Sequence, residues 1–223
     1  MSKKAILIIV AHSDDETIGM GGTIRKHINN NDEVYVVSMT NGIGSRDNIN
    51  NSDLLKRQNS AKLASKYLGF KWLDNFDFED NAMDKYALLE IVKCIEKVKK
   101  NINPNLVYTH TSTDMNIDHK IVSNAVLTAF RPQPNENCRE IRLFEVPSAT
   151  DYGNESIVNK FSPNLYVNIK DTWDFKEQAM VAYETELRDY PHSRSIHAIK
   201  NLACLRGNQV GLYMSESFQV IRK

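Results

Sequence analysis

The first two-thirds of the chain alternates short, continuously apolar runs with longer amphipathic stretches. Residues 5–11 (AILIIVA) are apolar throughout, as is typical of a strand buried on both faces. Residues 34–39, 71–76 and 106–110 predict three further strands. The intervening segments have helical spacing of their apolar residues, and we predict helices over residues 18–28, 54–68, 86–98 and 119–130. Strand and helix in alternation predict a Rossmann-like α/β fold, with a mainly parallel sheet and helices on both faces.

The alternation is weaker beyond residue 131. We predict strands over residues 142–146, 165–169 and 217–221, and helices over residues 174–187 and 196–205. The sequence contains no internal repeat and no low-complexity linker, and 223 residues fit one domain. We therefore expect a single domain over 1–223, with a Rossmann-like core over 1–131 and a C-terminal elaboration over 132–223.

Composition excludes several classes of partner. The chain carries 28 basic and 28 acidic side chains, a balance that provides no general attraction to nucleic acid or anionic membranes. No apolar run approaches the roughly 18 residues of a membrane span, and the run over 5–11 ends at charged residues, unlike a signal peptide. Cys94, Cys138 and Cys204 lie far apart and favour free thiols in a cytoplasmic protein. The sequence leaves a homo-oligomer open.

Ionisable residues are concentrated directly after the first predicted strand, in residues 12–16 (HSDDE). Ligands of parallel α/β sheets bind at the C-terminal ends of strands, where this segment lies. One interpretation is local, because Ser13 and Glu16 have the spacing of a capping box and acidic side chains stabilise a helix N-terminus. That interpretation does not account for a histidine beside two adjacent carboxylates.

Three glycines in the next predicted helix, Gly19, Gly21 and Gly22, allow close approach of the helix to the sheet. They do not indicate a dinucleotide site. The glycines come a full helical turn too late, and two carboxylates occupy the place of the pyrophosphate.

A second group of such residues follows the strand over 106–110 and consists of His110, Asp114, Asn116, Asp118 and His119. A turn rich in Asp and Asn would explain this group without any function. Two His/Asp groups at the ends of strands near the sheet centre are stronger evidence than either alone. His12, Asp15 and His119 together form the two-histidine, one-carboxylate set that suits a catalytic zinc ion. Asp14 would then face the bound water as a general base.

These segments resemble a known family. Residues 11–16 (AHSDDE) are similar to the A-H-P-D-D-E signature of the PIG-L/LmbE family of zinc-dependent N-deacetylases, with Ser13 in place of the proline. Residues 114–119 (DMNIDH) resemble its second signature, which ends in D-H after D-x-H or D-x-N. Weaker likenesses extend the resemblance over nearly the whole chain, at residues 40–45 (TNGIGS), Arg57, 131–132, 147–148, 193–195, 206–207 and 215–218.

The resemblance implies an LmbE-like fold and one zinc ion per chain, held by His12, Asp15 and His119, with Asp14 as the base. It implies as substrate an N-acyl, most often N-acetyl, amino sugar, either free or linked to a nucleotide. Arg57, Arg131 and Arg194 are the candidates for binding that substrate. For each of them the alternative is a solvated surface residue.

One departure from the family concerns Asn116, where many members have a histidine. Asparagine cannot transfer a proton, but it can donate a hydrogen bond to an oxyanion. His110 is a candidate proton donor, or else a strand-end residue that caps the loop. We expect Asp118 to orient a ligand histidine.

Two other functions compete with deacetylation. The first is a non-catalytic module of Rossmann-like fold that binds zinc or a sugar nucleotide, which would have no need of Asp14 beside the ligands. The second is hydrolysis of another bond, such as a phosphoester, which usually requires two metal ions. The sequence contains one convincing ligand set.

Overall fold

The structure is a computed structural model that describes residues 3–42, 51–73, 75–153 and 159–223. Seven strands of these residues form one sheet, namely β1 (Ala5–Val10), β2 (Glu33–Ser38), β3 (Lys71–Trp72), β4 (Leu106–His110), β5 (Glu140–Phe144), β6 (Leu165–Asn168) and β7 (Ser215–Arg222). Their order is β3-β2-β1-β4-β5-β7-β6. Strands β1 to β5 are parallel to one another, whereas β7 is antiparallel to both β5 and β6. The predicted α/β fold with a mainly parallel sheet is confirmed.

Within the described parts of the chain, six α-helices cover the two faces of the sheet, namely α1 (Asp15–Asn29), α2 (Asn51–Leu68), α3 (Leu88–Ile102), α4 (Ile117–Ala129), α5 (Trp173–Val181) and α6 (Ile196–Asn208). The strand β1 shows why both faces are covered, because its apolar side chains alternate between two cores. Ile6 and Ile8 pack in the core beneath α1, α2, α5 and α6. Leu7 and Ile9 pack in the core beneath α3 and α4.

Some element boundaries differ from the sequence prediction. Helix α1 begins at Asp15 rather than at residue 18, so the acidic residues belong to its first turn. Strand β3 has two residues instead of six, since it lies at the edge of the sheet and pairs only with β2. Helix α5 ends at Val181, and a short 3-10 helix over Glu184–Glu186 follows it.

Helix α1 lies unusually close to the sheet and is kinked at Met20, whose φ of −147° is not helical. A Cβ atom at Gly19 would lie 2.5 Å from the ring of Phe144, so only glycine allows this approach. Beyond the kink, the N–H groups of Gly22 and Thr23 donate to the Glu216 carboxylate at 2.9 and 2.7 Å. Strand β7 thereby caps the second half of α1.

The order of the strands creates a crevice at the carboxyl ends of β1 and β4. From β1 the chain passes to β2 and β3 on one side, and then crosses to β4 on the other. The helix after β1 covers one face and the helix after β4 covers the opposite face. Such a switch point is the usual ligand site of open α/β sheets. Both predicted groups of ionisable residues lie there.

Two further observations concern composition. Among the described residues, no helix combines the length and apolarity that crossing a membrane requires. Cys94, Cys138 and Cys204 are free thiols, as predicted.

Candidate active site

The three predicted ligands meet in the crevice. His12 Nδ1 lies 3.3 Å from His119 Nε2, and Asp15 Oδ2 lies 3.3 and 3.4 Å from those two nitrogens. His12 is 8% exposed and the other two residues are fully buried. The loop after β1 and the first turn of α4 thus bring two imidazoles and a carboxylate to one point, although 107 positions separate the histidines.

Each of these histidines uses its second ring nitrogen to contact carboxylates. His119 Nδ1 lies 2.9 Å from Asp114 Oδ2, to which the Thr150 hydroxyl also donates. His12 Nε2 lies 3.0 Å from Asp80 and 3.2 Å from Asp118. Such contacts fix the ring orientation of metal-binding histidines and leave the inner nitrogens for the ion.

The donor set fits a divalent cation. One oxygen of Asp15, Oδ2, accepts a hydrogen bond from the His12 N–H, whereas Oδ1 is buried and has no hydrogen-bond partner among the described residues. A buried carboxylate oxygen without a partner is costly unless a cation binds it. Two imidazoles and one carboxylate match the ligands of catalytic zinc sites.

The electrostatics of the cluster also favour positive charge at this point. Burial opposes the charged form of His119, but Asp15 and Asp114 outweigh it and raise the pKa of His119 to about 9. The pKa of His12 is also raised, by neighbouring carboxylates acting against burial. Burial would raise the pKa of Asp15, yet His119 and His110 hold it well below its usual range. A bound divalent cation would replace the protons of the histidines.

Asp14 differs from Asp15 in its surroundings. Its Oδ1 lies 3.0 Å from Arg57 Nη2, and its Oδ2 lies 3.5 Å from Arg194 Nη1. No candidate ligand group of the described residues includes Asp14. The neighbouring carboxylates therefore separate into one that faces the histidines and one that faces the arginines.

The capping-box interpretation of Ser13 and Glu16 is wrong. The N-terminus of α1 has no side-chain cap, and Ser13 Oγ instead accepts a hydrogen bond from Arg57 Nε at 3.1 Å. The Glu16 carboxylate accepts from Thr17 and from the Tyr183 hydroxyl. Burial raises the pKa of Glu16 to about 8, so its side chain is mainly neutral at pH 7.

His110 lies behind His119. It is fully buried, its ring stacks on His119 with centroids 3.9 Å apart, and its Nε2 accepts a hydrogen bond from the Ala11 N–H. Burial and the neighbouring His119 lower its pKa. These contacts favour the strand-end alternative over that of a proton donor.

Asn116 and Asp118 organise the N-terminus of α4. Asn116 is the N-cap residue and accepts from the N–H groups of Asp118 and His119, while its amide group donates to Asn81. Asp118 accepts from the N–H groups of Asn81 and Met83 and contacts His12. Asp118 thus lies within hydrogen-bonding distance of a candidate ligand histidine.

The three candidate arginines lie in three different environments. Arg57 is buried against Asp14, and Arg194 reaches Asp14 with a side chain that is 22% exposed. Arg131 follows the C-terminal end of α4 and contacts Glu96 on the surface. Helix α4 continues for ten residues after His119, which at 1.5 Å each puts its end at Ala129 about 15 Å away, and Arg131 lies beyond that end. The prediction that Arg131 binds substrate at this site is therefore corrected.

Sequence reasoning missed several contributors. Asp80 belongs to the acidic segment 77–80 (DFED) after β3, so the rule that led to the other groups could have identified it. Tyr183, Glu186 and Thr150 carry no comparable signal, because only the fold brings them to the site. In the loop that resembles a family motif, Thr40 donates its hydroxyl to the Ala11 carbonyl, and residues 43–45 lie outside the described residues.

Two known proteins with similar sequences are both named as deacetylases. The chain is 28% identical over 194 residues to diacetylchitobiose deacetylase of Thermococcus kodakarensis. This alignment covers 82% of this chain and 70% of that protein. It is 23% identical over 191 residues to a probable N-acetyl-alpha-D-glucosaminyl L-malate deacetylase 2 of Bacillus cereus. That alignment covers 82% of this chain and 84% of the Bacillus protein.

The fold has similar counterparts among solved structures. N,N'-diacetylchitobiose deacetylase of Pyrococcus horikoshii superimposes with a TM-score of 0.80 at 22% identity, over 98% of this chain and 84% of that one. The profile of the PIG-L family, described as GlcNAc-PI de-N-acetylase, matches residues 7–130 and therefore more than half of the chain. The chain belongs to the PIG-L family.

Proposed function

We propose that the protein is a zinc-dependent deacetylase that hydrolyses the N-acetyl group of an amino sugar. The observation that carries this proposal is the pairing of a buried His12/Asp15/His119 cluster with a separate carboxylate, Asp14, held beside it. The deacetylase names of the relatives support the same reaction and an N-acetyl sugar as substrate.

One zinc ion per chain is the proposed cofactor. The candidate group His12/Asp15/His119 shares His119 with the second candidate group and His12 with the third, so it is the group at the centre of the cluster. When bound, zinc supplies Lewis acidity and lowers the pKa of a coordinated water toward about 7. Asp114, Asp118 and Asp80 orient the two histidines.

The proposed reaction uses Asp14 twice. Asp14 accepts a proton from the attacking water, and the water oxygen forms a bond to the carbonyl carbon of the N-acetyl group. The C–N bond then breaks, and Asp14 returns the proton to the leaving nitrogen, which gives acetate and a free amine. Asn116 can donate its second amide hydrogen to the oxyanion. Because His110 is enclosed, we assign the return of the proton to Asp14 rather than to His110.

The residues that recognise the substrate should lie on the exposed side of the site. Arg194 lies beside Asp14 and remains partly exposed, so it can bind a hydroxyl or phosphate group of the sugar. The proposal covers free and nucleotide-linked amino sugars. The three free cysteines fit a cytoplasmic location.

The test of this function is Asp14→Asn, assayed for amine release from diacetylchitobiose and from free and nucleotide-linked N-acetylglucosamine. Asparagine keeps the size of the side chain but accepts no proton. We expect zinc content to remain close to wild type and turnover to fall by about 10²–10⁴-fold. The melting temperature should fall, because the buried Arg57 loses one ionic partner.

The matched control is Asp174→Asn, an exposed aspartate on α5, which should leave turnover unchanged. A non-catalytic binding module would show no zinc-dependent amine release in the wild-type protein. Normal turnover in Asp14→Asn with zinc retained would contradict the role of Asp14.

A further inference from the structure

A cavity of about 360 Å³ lies between α6 and the loop that follows β5, and the proposed reaction does not use it. Five apolar residues contribute to its wall, namely Val146, Pro147, Phe161, Ala198 and Leu202. Small-molecule sites are usually mostly apolar clefts of about 300–1,000 Å³, and an apolar cavity of about 150 Å³ already binds benzene. The cavity is therefore large enough for an aromatic ring.

The cavity adjoins the candidate active site through two of its polar wall residues, Thr150 and Ser193. The Thr150 hydroxyl donates to Asp114 Oδ2, the oxygen that contacts one candidate ligand histidine. Ser193 directly precedes Arg194, whose Nη1 lies 3.5 Å from Asp14. A substrate whose sugar contacts Arg194 can therefore extend into the cavity.

The charged residues of the cavity wall balance one another. Arg206 Nε and Nη2 donate to the two carboxylate oxygens of Glu145 at 2.7 and 2.6 Å, and the Ser217 hydroxyl donates to Glu145 at 2.8 Å. The pair therefore directs its charges at each other rather than into the cavity. Asp151 and Lys160, the other two charged wall residues among those described, are exposed and of opposite sign. This arrangement favours an uncharged occupant over a phosphate or a carboxylate.

We propose that the cavity binds an uncharged aryl or alkyl group attached to the amino sugar through its glycosidic oxygen. The inference rests on the proposed function and names the class of its substrate, a glycoside of an N-acetyl amino sugar with an apolar aglycone. Apolar walls stabilise such a group by removing its surface from water. A long acyl chain in place of acetyl is the competing occupant. The glycosidic side is favoured because the cavity adjoins Arg194, the arginine proposed to bind the sugar.

The test compares kcat/KM of the zinc-loaded wild-type protein for N-acetylglucosamine and for its two para-nitrophenyl glycosides, α and β. We expect kcat/KM to be about tenfold higher for at least one glycoside than for the free sugar, because the protein buries the aromatic ring. N-hexanoylglucosamine should show no such gain. A gain for N-hexanoylglucosamine with none for either glycoside would overturn the inference and assign the cavity to the acyl chain.

Two variants on α6 test whether the cavity causes the preference. Ala198→Phe places a ring in the cavity, so the ratio of kcat/KM for the glycoside to that for the free sugar should fall by about tenfold. Leu202→Ala removes part of the apolar wall and should lower the ratio by about threefold. It keeps the test available if Ala198→Phe does not fold, and zinc content and melting temperature are measured for both.

The matched control is Asn208→Phe, which adds the same side chain at an exposed position of α6 outside the cavity wall and should leave the ratio unchanged. The inference is overturned if the wild-type protein prefers neither glycoside. An unchanged ratio in both folded cavity variants would also overturn it.

A binding measurement separates failure of this inference from failure of the proposed function. In Asp14→Asn, which should consume little substrate, the preferred glycoside should raise the melting temperature more than free N-acetylglucosamine does at equal concentration. Adding Ala198→Phe should abolish the difference. If the wild-type protein releases no amine, the proposed function fails, whereas this difference would still support the cavity as a binding site. Equal stabilisation by the glycosides and the free sugar would contradict it.

Discussion

Consecutive residues of one loop act on different partners because the helix begins between them. Asp15 is the first residue of α1 and turns toward the histidines, whereas Asp14 precedes the helix and meets two arginines. Glu16, the next residue, accepts hydrogen bonds from Thr17 and from the Tyr183 hydroxyl. Three adjacent carboxyl groups therefore have three different environments, and a charge pattern alone does not distinguish them.

Glu16 should make the stability of the metal-free protein depend on pH. Burial raises its pKa in the folded state from 4.5 to about 8. A carboxyl group with a raised folded pKa costs stability as the pH rises from its unfolded pKa through its folded one. Glu16→Gln removes this titration. We expect the melting temperature of the variant to exceed that of wild type by a margin that grows from about pH 5 to about pH 8 and then levels off.

The measurement is thermal unfolding in the presence of a chelator, with Glu90→Gln, an exposed glutamate on α3, as the control. His119 also makes stability fall as the pH rises above 6.5, because its folded pKa is about 9. This contribution is the same in the wild-type protein and in Glu16→Gln, so it does not affect the margin between them. A margin that is constant across this pH range would contradict the buried, neutral state of Glu16.

At the scale of the element, the approach of α1 to the sheet depends on glycine at particular positions. A Cβ atom at Gly19 would meet the ring of Phe144 and lie 2.9 Å from the Glu145 carbonyl oxygen, neither of which can move freely. At Gly21 the nearest atom is a side-chain carbon of Lys176 at 3.2 Å. The two sites differ in what surrounds them, although both belong to the same helix.

Gly19→Ala should therefore destabilise the protein, by about 1–3 kcal/mol, as overpacking usually does. Gly21→Ala is the matched control. Its change is smaller, because alanine stabilises a helix interior by about 0.5–1 kcal/mol and offsets the closer contact. Chemical denaturation of the two variants measures the difference. Equal losses at both positions would show that the close approach of α1 is not confined to Gly19.

The elements could be predicted from the sequence where burial on both faces makes a strand continuously apolar, as in β1 and β4. The predicted boundaries were less accurate where an element ends beside residues that are distant in sequence. Helix α1 starts early because Asp15 belongs to the site, and the helix predicted over 174–187 stops at Val181, after which Tyr183 and Glu186 contact Glu16 and Arg57. Those partners lie more than 120 positions away in sequence, beyond the reach of any local pattern.

The whole molecule brings the candidate ligands together, and this meeting was predictable from sheet topology. Strand ends near the sheet centre lie close in space, so His12 and His119 could be paired from their positions alone. Arg131 shows the limit of motif resemblance, because a similar sequence does not show whether a residue lies near the site. Asp80 and Thr150 from loops, and Glu186 from a short 3-10 helix, complete the site, and the sequence does not specify the paths of these segments.

Removal of the metal should lower the stability of the whole molecule. A ligand that binds only the folded state at 100 times its Kd adds about 2.7 kcal/mol, which corresponds to about 5–11 °C in Tm for a chain of this size. We expect a chelator to lower Tm by that order and added zinc to restore it. His119→Ala should abolish both the metal content and the zinc-dependent rise in Tm.

Elemental analysis of the purified protein should give about one zinc per chain, and His12→Ala and Asp15→Ala should lower that content as well. Full occupancy in His119→Ala would mean that the loops after β1 and β4 do not share one ion. Zinc-dependent stabilisation that persists in all three variants would place the ion elsewhere.

The position of β7 has a consequence for protein synthesis. The candidate metal ligands are complete once residue 119 has been made, yet β7 lies between β5 and β6, and its Glu216 caps the second half of the helix that begins at Asp15. A nascent chain that has not reached residue 215 leaves the edges of β5 and β6 unpaired, which exposes it to aggregation. A fragment cut before β7 should therefore not serve as a smaller enzyme, even though it contains every proposed ligand.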